Sequence, residues 1–265
     1  MKNNKKFWNF RAEANSESAE LLLYGEISSS SWWGDEVTPK QFKEDLDALG
    51  NVSEIKVFIN SPGGDVFAGQ AIHSILKRHN AKISVYVDGL AASIASVIAM
   101  AGDTVYMPKN AMMMVHKAWT WAAGNSDDFR KLADDLEKIE ESIIAAYESK
   151  TGLSKEKIVE LMKAETWMTA EEAVSYGFVD EIEPEKAVAA SLKAGILTIN
   201  GQQIDLKKYK NAPKLVILPP EKPKNQQNEP PAPPAPDEST GEHNPNAELL
   251  ALKRRQLEIK EKEII

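Results

Sequence analysis

The sequence predicts an α/β protein in which a parallel sheet is flanked by helices. Apolar runs at residues 55–59, 83–87 and 112–115 read as strands, and the small residues at 88–96 read as a turn after the second run. The stretches after the first two runs, residues 67–79 and 94–100, place apolar residues at helical spacing. Strands and helices that alternate in this way are typical of stacked β-α-β units with right-handed crossovers. In such sheets, functional sites lie at the carboxyl ends of the strands.

The chain before this alternation adds one strand and one helix. Residues 1–17 are polar with interleaved aromatic residues and read as an N-terminal extension, packed on a neighbouring subunit or loose. Residues 19–27 read as the first strand. Thr38 and Pro39 are a favourable N-cap and first helical residue, which predicts a helix as far as Leu49.

Three helices and a last strand are predicted after residue 116. Residues 126–150 have an apolar stripe at 3.6-residue spacing and a charged opposite face, and residues 154–163 read as a shorter helix. Thr169 and Glu172 have the spacing of a capping box at the start of the third helix. The last strand is predicted at residues 178–179.

The C-terminal part has a different composition from the rest. Residues 184–218 contain apolar runs without a clear period and form a poorly defined extension. Nine of the fourteen prolines lie in residues 219–245, and such a segment buries too little apolar surface to fold, which predicts a disordered linker. Residues 246–265 read as an amphipathic helix, for which docking to a partner is favoured over a simply exposed tail.

Composition excludes several classes of function. The 265 residues carry a net charge of −8, which argues against general binding to nucleic acid. No cysteine is present, so a cysteine nucleophile, cysteine-ligated zinc and disulfides are excluded. No run of 18 apolar residues predicts a membrane helix, and the basic residues 1–6 precede no signal-peptide core. We therefore expect a cytoplasmic protein that binds no membrane.

The groups at the predicted strand ends suggest acyl transfer. Ser93 lies where a strand turns into a helix, and the positive end of a helix dipole helps to stabilise an oxyanion. A serine hydroxyl needs a base, and His116 ends the next apolar run. Gly63 and Gly64 follow another strand and allow a loop to turn its N–H groups towards a substrate oxygen. Each feature alone is more often a plain turn, a close-packed helix or a structural histidine. The occurrence of all three in this order favours the catalytic interpretation.

These motifs resemble the Clp proteolytic-subunit family of serine peptidases. The resemblance rests on Ser-Pro-Gly-Gly at residues 61–64, Ala-Ala-Ser-Ile at 91–94, a later hydrophobic residue before His116, and the run Trp-Met-Thr-Ala-Glu-Glu-Ala at 167–173. It covers residues 18–183 and implies the ClpP/crotonase-like superfold in a homo-oligomeric ring. It also implies that the loop after the histidine and the following helix form a projecting handle that lines the substrate groove and contacts another ring.

The resemblance implies a role for each site residue. Ser93 is the nucleophile, His116 is the general base, and the backbone N–H groups of Gly64 and Ile94 form the oxyanion hole. The family usually has Asp as the third catalytic residue, and Glu165 stands at the matching position here. A carboxylate of either type can orient the histidine, and the alternative is that Glu165 only caps or flanks a helix. No metal, nucleotide or other cofactor site is predicted, so any ATP dependence would come from a partner.

A finer resemblance is to the Clp-type head maturation proteases of tailed phages and prophages. It rests on residues 21–27, on the Trp-Trp-Gly-Asp run at 32–35, and on the added linker and C-terminal helix. It implies scaffold and capsid proteins as substrates inside an immature procapsid, with residues 246–265 docking to scaffold or capsid protein. Two alternatives stay open, a housekeeping proteolytic subunit fed by an unfoldase and a catalytically silent assembly protein on the same fold.

Overall fold

The structure is a computed structural model, and it describes residues 6–12, 17–29, 38–185, 190–193, 195–199 and 201–213. The linker and C-terminal helix predicted after residue 218 lie outside these residues, as does the run at residues 32–35. The domain boundaries drawn from the sequence therefore remain predictions.

The central feature is an eight-stranded mixed sheet. Its main path has the order β1-β2-β3-β4-β5-β8, and β6 pairs with both β4 and β7. The first pair is antiparallel, as is the pair formed by β6 and β7, and the other pairs are parallel. The strands are β1 (Trp8–Ala12), β2 (Ser18–Tyr24), β3 (Glu54–Ser61), β4 (Lys82–Ala92), β5 (Thr104–Pro108), β6 (Met112–Val115), β7 (Thr166–Met168) and β8 (Glu181–Glu183).

In the part of the chain that the structure describes, six helices connect these strands, and short polar residues cap most of them. Thr38, Asp65 and Ser154 each accept a hydrogen bond from the first turn of the helix they cap. Asn125 and Thr169 form capping boxes with Asp128 and Glu172. The helices are α1 (Pro39–Asp47), α2 (Val66–Lys77), α3 (Ile94–Ala99), α4 (Ser126–Thr151), α5 (Lys155–Lys163) and α6 (Ala170–Ser175).

The main core lies between the sheet and these helices. Alternate residues of β3 are fully buried, as expected where one face of a strand packs against helices. Inside the core, the hydroxyl of the fully buried Tyr147 lies 2.8 Å from Ser96 Oγ in α3. The Tyr147 ring packs edge-on against Phe178 at 5.3 Å. The long helix α4 is thereby tied to the helix that follows Ser93.

A second, small sheet packs against the ends of β4 and β6. It consists of β9 (Ala190–Lys193), β10 (Ile196–Ile199) and β11 (Gln202–Asp205), all antiparallel, and a short 3₁₀ helix, Leu206–Lys208, follows. A separate apolar cluster joins it to the main sheet; its buried members are Leu90, Ala92, Met114, Leu197, Ile199, Ile204 and Leu206.

The structure confirms the predicted fold class and corrects two local predictions. Asp88 to Ala92 were expected to form a turn, but they continue β4, because Leu90, Ala91 and Ala92 pair with β6. Phe178 and Val179 form no strand; the last strand of the main sheet is β8. β1 and the small sheet were not predicted. Trp8, Phe10 and Ala12 alternate with polar residues over only five residues of a polar segment, and the apolar runs of residues 184–218 have no clear period.

Candidate active site

Ser93 lies between the end of β4 and the start of α3. Its backbone has φ 55° and ψ −132°, a positive-φ conformation that costs a non-glycine residue about 1–3 kcal/mol. Ala91 and Ala92 before it are fully buried, and Ser96 Oγ donates a 2.6 Å hydrogen bond to the Ser93 carbonyl oxygen. The turn is therefore strained and firmly held, as expected where one side chain has to project from a strand end.

The pairing of β4 with β6 brings His116 to Ser93. Ala92 pairs with Met114, and the Ser93 N–H donates to the Met114 carbonyl oxygen over 2.9 Å. His116 Nε2 then lies 2.8 Å from Ser93 Oγ, the distance of a nucleophile–base hydrogen bond. Burial lowers the pKa of His116, and the nearby charge of Glu165 acts in the opposite direction. The imidazole is thus neutral and able to accept a proton at neutral pH.

The glycine turn after β3 lies against the nucleophile. Gly63 and Gly64 have φ of 96° and 145°, which L side chains rarely adopt. A Cβ on Gly63 would lie 2.5 Å from the Ser93 Cβ, so glycine is required for this approach. Ile27 fixes the turn, since its N–H donates to the Gly63 carbonyl oxygen and its carbonyl oxygen accepts from the Asp65 N–H, each over 2.8 Å.

Glu165 lies beside His116 at the end of the β6–β7 pair. Val115 pairs with Thr166, so the residues that flank this pair, His116 and Glu165, are neighbours. Glu165 is 9% exposed and has a positive φ of 49°. Its carboxylate accepts hydrogen bonds from the backbone N–H groups of Lys210, over 3.0 Å, and Asn211, over 2.7 Å.

Sequence reasoning missed the residues after the 3₁₀ helix. The Tyr209 hydroxyl donates to the Pro62 carbonyl oxygen over 3.0 Å, and its ring centroid lies 6.2 Å from that of His116. Burial, helped by the charges of Glu165 and Glu26, raises the pKa of Tyr209 to about 12, so the phenol stays protonated. The sequence signal in this stretch was a single aromatic residue, Tyr209, among lysines, and one residue shows no periodicity from which a contact could be predicted.

A groove runs from the glycine turn to the loop after His116. It encloses about 130 Å³, with Trp119 on one side and the end of the small sheet on the other. Both acidic and basic side chains line it, so it carries no single charge sign. Its lining residues are Gly25, Glu26, Pro62, Gly63, Gly64, Trp119, Gln202, Gln203, Ile204, Asp205, Lys208 and Tyr209.

The arrangement places a base beside a serine hydroxyl, as activation of a serine nucleophile requires. Within the described ranges, no group of three or more His, Cys, Asp or Glu side chains could hold a metal. Ser93, His116 and Glu165, predicted from separate motifs, come together at one edge of the sheet. Gly64 lies in the turn against Ser93, and Ile94 directly follows it as the first residue of α3. No helix of the described residues is long and apolar enough to cross a membrane.

Comparison with known proteins gives a family match over the main sheet from β3 to β8. The profile described as "Clp protease" matches residues 35–186. A Deinococcus radiodurans protein named ATP-dependent Clp protease proteolytic subunit is 34% identical over 140 residues, which cover 52% of this chain and 68% of the relative. Proteins of the same name from Bacteroides fragilis (31% over 140 residues, 52% and 67%) and Ligilactobacillus salivarius (35% over 143 residues, 53% and 73%) also match.

Proposed function

The chain belongs to the Clp protease family and is a serine-type peptidase, and on this premise we propose that Ser93, His116 and Glu165 are its catalytic triad. The observation that carries the proposal is the 2.8 Å contact between Ser93 Oγ and His116 Nε2, at a strained strand end beside a glycine turn. This contact is the nucleophile–base pair that serine acyl transfer needs, and it joins two groups from separate parts of the sequence.

The proposed reaction follows the usual two halves of serine proteolysis. Ser93 Oγ attacks the scissile carbonyl carbon while His116 Nε2 takes the hydroxyl proton. The backbone N–H groups of Gly64 and Ile94 stabilise the oxyanion that forms. His116 then gives the proton to the leaving amine as the C–N bond breaks, and water, activated by the same imidazole, releases the acyl group from Ser93. Glu165 stabilises the imidazolium in both halves.

The groove lined by the glycine turn, which lies against Ser93, supports a polypeptide as the substrate. The glycine turn exposes main chain at its edge, and an extended peptide can pair with such an edge by backbone hydrogen bonds. Trp119 is 58% exposed on the opposite side, where it can contact a substrate side chain. We propose that the active form is a homo-oligomeric ring, in which the exposed Trp119, Trp121 and Phe129 near the start of α4 are available to neighbouring subunits.

We further propose that the substrates are capsid and scaffold proteins during head maturation of a phage or prophage. The support is the resemblance of residues 21–27 and 32–35 to head maturation proteases and the chain of 79 residues beyond the family match at residue 186. The second candidate is a housekeeping subunit that works with an unfoldase. It is favoured by the names of the relatives, which are ATP-dependent proteolytic subunits.

One experiment tests these proposals together. The chain is co-expressed with the capsid and scaffold genes that neighbour its own, as wild type, Ser93→Ala and Ser175→Ala, and the products are read by intact mass. Ser175 is an exposed serine of α6 whose hydroxyl donates to the Glu172 carbonyl oxygen of its own helix, and it serves as the matched control. Trimming of capsid protein at a defined site by wild type and Ser175→Ala, but not by Ser93→Ala, supports head maturation. Uncut capsid protein in all three, with peptidase activity lost only in Ser93→Ala, favours the housekeeping role.

A further inference from the structure

The segment that follows the small sheet touches several parts of the proposed active site at once. Residues 206–211 run from the second apolar cluster to the β6–β7 edge, where the acid and base stand. The small sheet behind them is anchored, since the buried Asn60 side-chain amide donates to the Ile199 carbonyl oxygen over 3.0 Å. The segment therefore approaches the site from a fixed support.

The strongest contacts of this segment are to Glu165. The Lys210 N–H binds Oε2 and the Asn211 N–H binds Oε1, so both carboxylate oxygens have a main-chain donor. The Asn211 side-chain amide donates to the Ala164 carbonyl oxygen over 2.7 Å and fixes the backbone just before Glu165. Hydrogen bonds to a charged acceptor are about twice as strong as neutral ones.

A second contact reaches the glycine turn. The Tyr209 hydroxyl binds the Pro62 carbonyl oxygen, one residue before Gly63. Its ring packs edge-on against Trp167, with centroids 5.3 Å apart, and Trp167 lies in β7 next to the β6 strand that leads to His116. Three consecutive residues thus touch both the turn proposed to bind the oxyanion and the acid of the triad.

These contacts fit a role in holding Glu165 in place for His116. An ionised carboxylate offers about four lone-pair positions. The two main-chain donors and the Trp167 indole N–H, which lies 3.4 Å from Oε1, leave one position for the imidazole. Glutamate has one more rotatable bond than the aspartate usual at this position, so its carboxylate needs more restraint to stay in one orientation. Main-chain donors supply that restraint, because they cannot rotate away.

We propose that residues 209–211 are a positioning element of the active site, in which the Lys210 and Asn211 N–H groups hold the Glu165 carboxylate beside His116 and Tyr209 holds the glycine turn. The proposal rests on the assignment of Glu165 to the triad. It makes the C-terminal segment beyond the family match part of the catalytic centre of this chain.

The test compares Asn211→Pro with Asn211→Ala in the full chain. Both variants lose the side-chain bond to Ala164, and only proline also lacks the N–H that binds Glu165 Oε1. The readout is the second-order rate at which a fluorophosphonate labels Ser93, measured by intact mass from pH 4.5 to 8.5. Wild type, Glu165→Gln and Ser93→Ala are measured beside them.

We expect the plateau rate of Asn211→Pro to be about 10- to 100-fold below that of Asn211→Ala, the range for a misplaced catalytic group. Since the charge of Glu165 raises the pKa of His116, its displacement should also move the acid limb of the profile to lower pH, as in Glu165→Gln. Tyr209→Phe should lower the plateau without moving that limb, because it affects the turn and leaves the carboxylate in place.

Other outcomes overturn the proposal. Equal rates in the two Asn211 variants would show that the N–H is not needed, and a faster rate in Asn211→Pro would make the segment inhibitory. A lower plateau rate of Asn211→Pro with an unmoved acid limb would mean that the hydrogen bond to Glu165 supports the fold only and does not position the carboxylate for His116. If Ser93→Ala is labelled like wild type, the proposed nucleophile fails as well, whereas an unlabelled Ser93→Ala confines the failure to this inference.

Discussion

Replacement of Gly64 by alanine tests the proposed oxyanion turn most directly. Gly64 has φ 145°, and an added Cβ would overlap the carbonyl oxygen of Ile27, a backbone atom that cannot swing aside. The turn would have to open and give up the two hydrogen bonds between Ile27 and residues 63 and 65. The alanine itself would be strained at any φ near the present one.

The magnitude follows from these contacts. Two hydrogen bonds at 0.5–1.5 kcal/mol each, with about 1–3 kcal/mol of backbone strain, give a loss of roughly 2–6 kcal/mol in the free energy of unfolding. At roughly 2–4 °C per kcal/mol, the melting temperature should fall by at least about 4 °C. Displacement of one oxyanion donor should lower kcat by about 100- to 1000-fold.

Gly50→Ala is the matched control. Gly50 also has a positive φ, 72°, but an added Cβ would meet no atom within 4 Å, so this variant measures strain without overlap. We expect a loss of about 1–2 kcal/mol and unchanged kcat and KM for a fluorogenic peptide. A Gly64→Ala protein that keeps wild-type kcat would refute the reasoning, because the turn would then contribute no donor to the transition state.

Three further predictions follow from other contacts. Activity needs the neutral imidazole, and burial lowers the pKa of His116. We therefore expect kcat/KM to rise with pH to a plateau, with an acid midpoint below the ordinary histidine pKa of about 6.5. A midpoint above about 7 in the pH profile would contradict this. Tyr147→Phe should lower the free energy of unfolding by about 1–2 kcal/mol. The Ser96 hydroxyl donates its only proton to the Ser93 carbonyl oxygen, so the Ser96 oxygen would lose Tyr147 as its donor. Thermal unfolding measures the loss, and an unchanged melting temperature would count against the assigned hydrogen bond. Thr169→Ala should lower the free energy of unfolding by about 0.5–2 kcal/mol, because it removes the N-cap of α6. Thr169→Ser should keep most of the wild-type stability, since serine also caps a helix. Equal melting temperatures of the two variants would exclude the capping role.

The sequence predicted the parts of the site that depend on side-chain identity. Ser93, His116 and Gly63 stand at strand ends because the apolar runs before them have lengths typical of strands, and the parallel sheet brings such ends together. Helix starts were equally predictable, since Thr38, Ser154 and Thr169 act through their own hydroxyl groups.

The parts that the sequence hid depend on the main chain or on tight packing. Every residue except proline carries an N–H, so nothing in the side chains of Lys210 or Asn211 marks them as partners of Glu165. The small residues at the end of β4 resembled a turn, yet they continue the strand. Their small size serves close packing instead, since a Cβ on Gly89 would lie 2.5 Å from the Ile199 side chain.

The ladder between β4 and β6 has a consequence for how the chain tolerates insertions and deletions. Ala92 and Met114 are the last pair of this ladder. Ser93 is one residue beyond Ala92, and His116 is two residues beyond Met114. The turn at Lys109 and Asn110 lies outside the ladder and is exposed, so a residue added there leaves both counts unchanged. A single residue lost between Met114 and His116 would shift the histidine to the other face of the strand and away from Ser93, because side chains alternate along it.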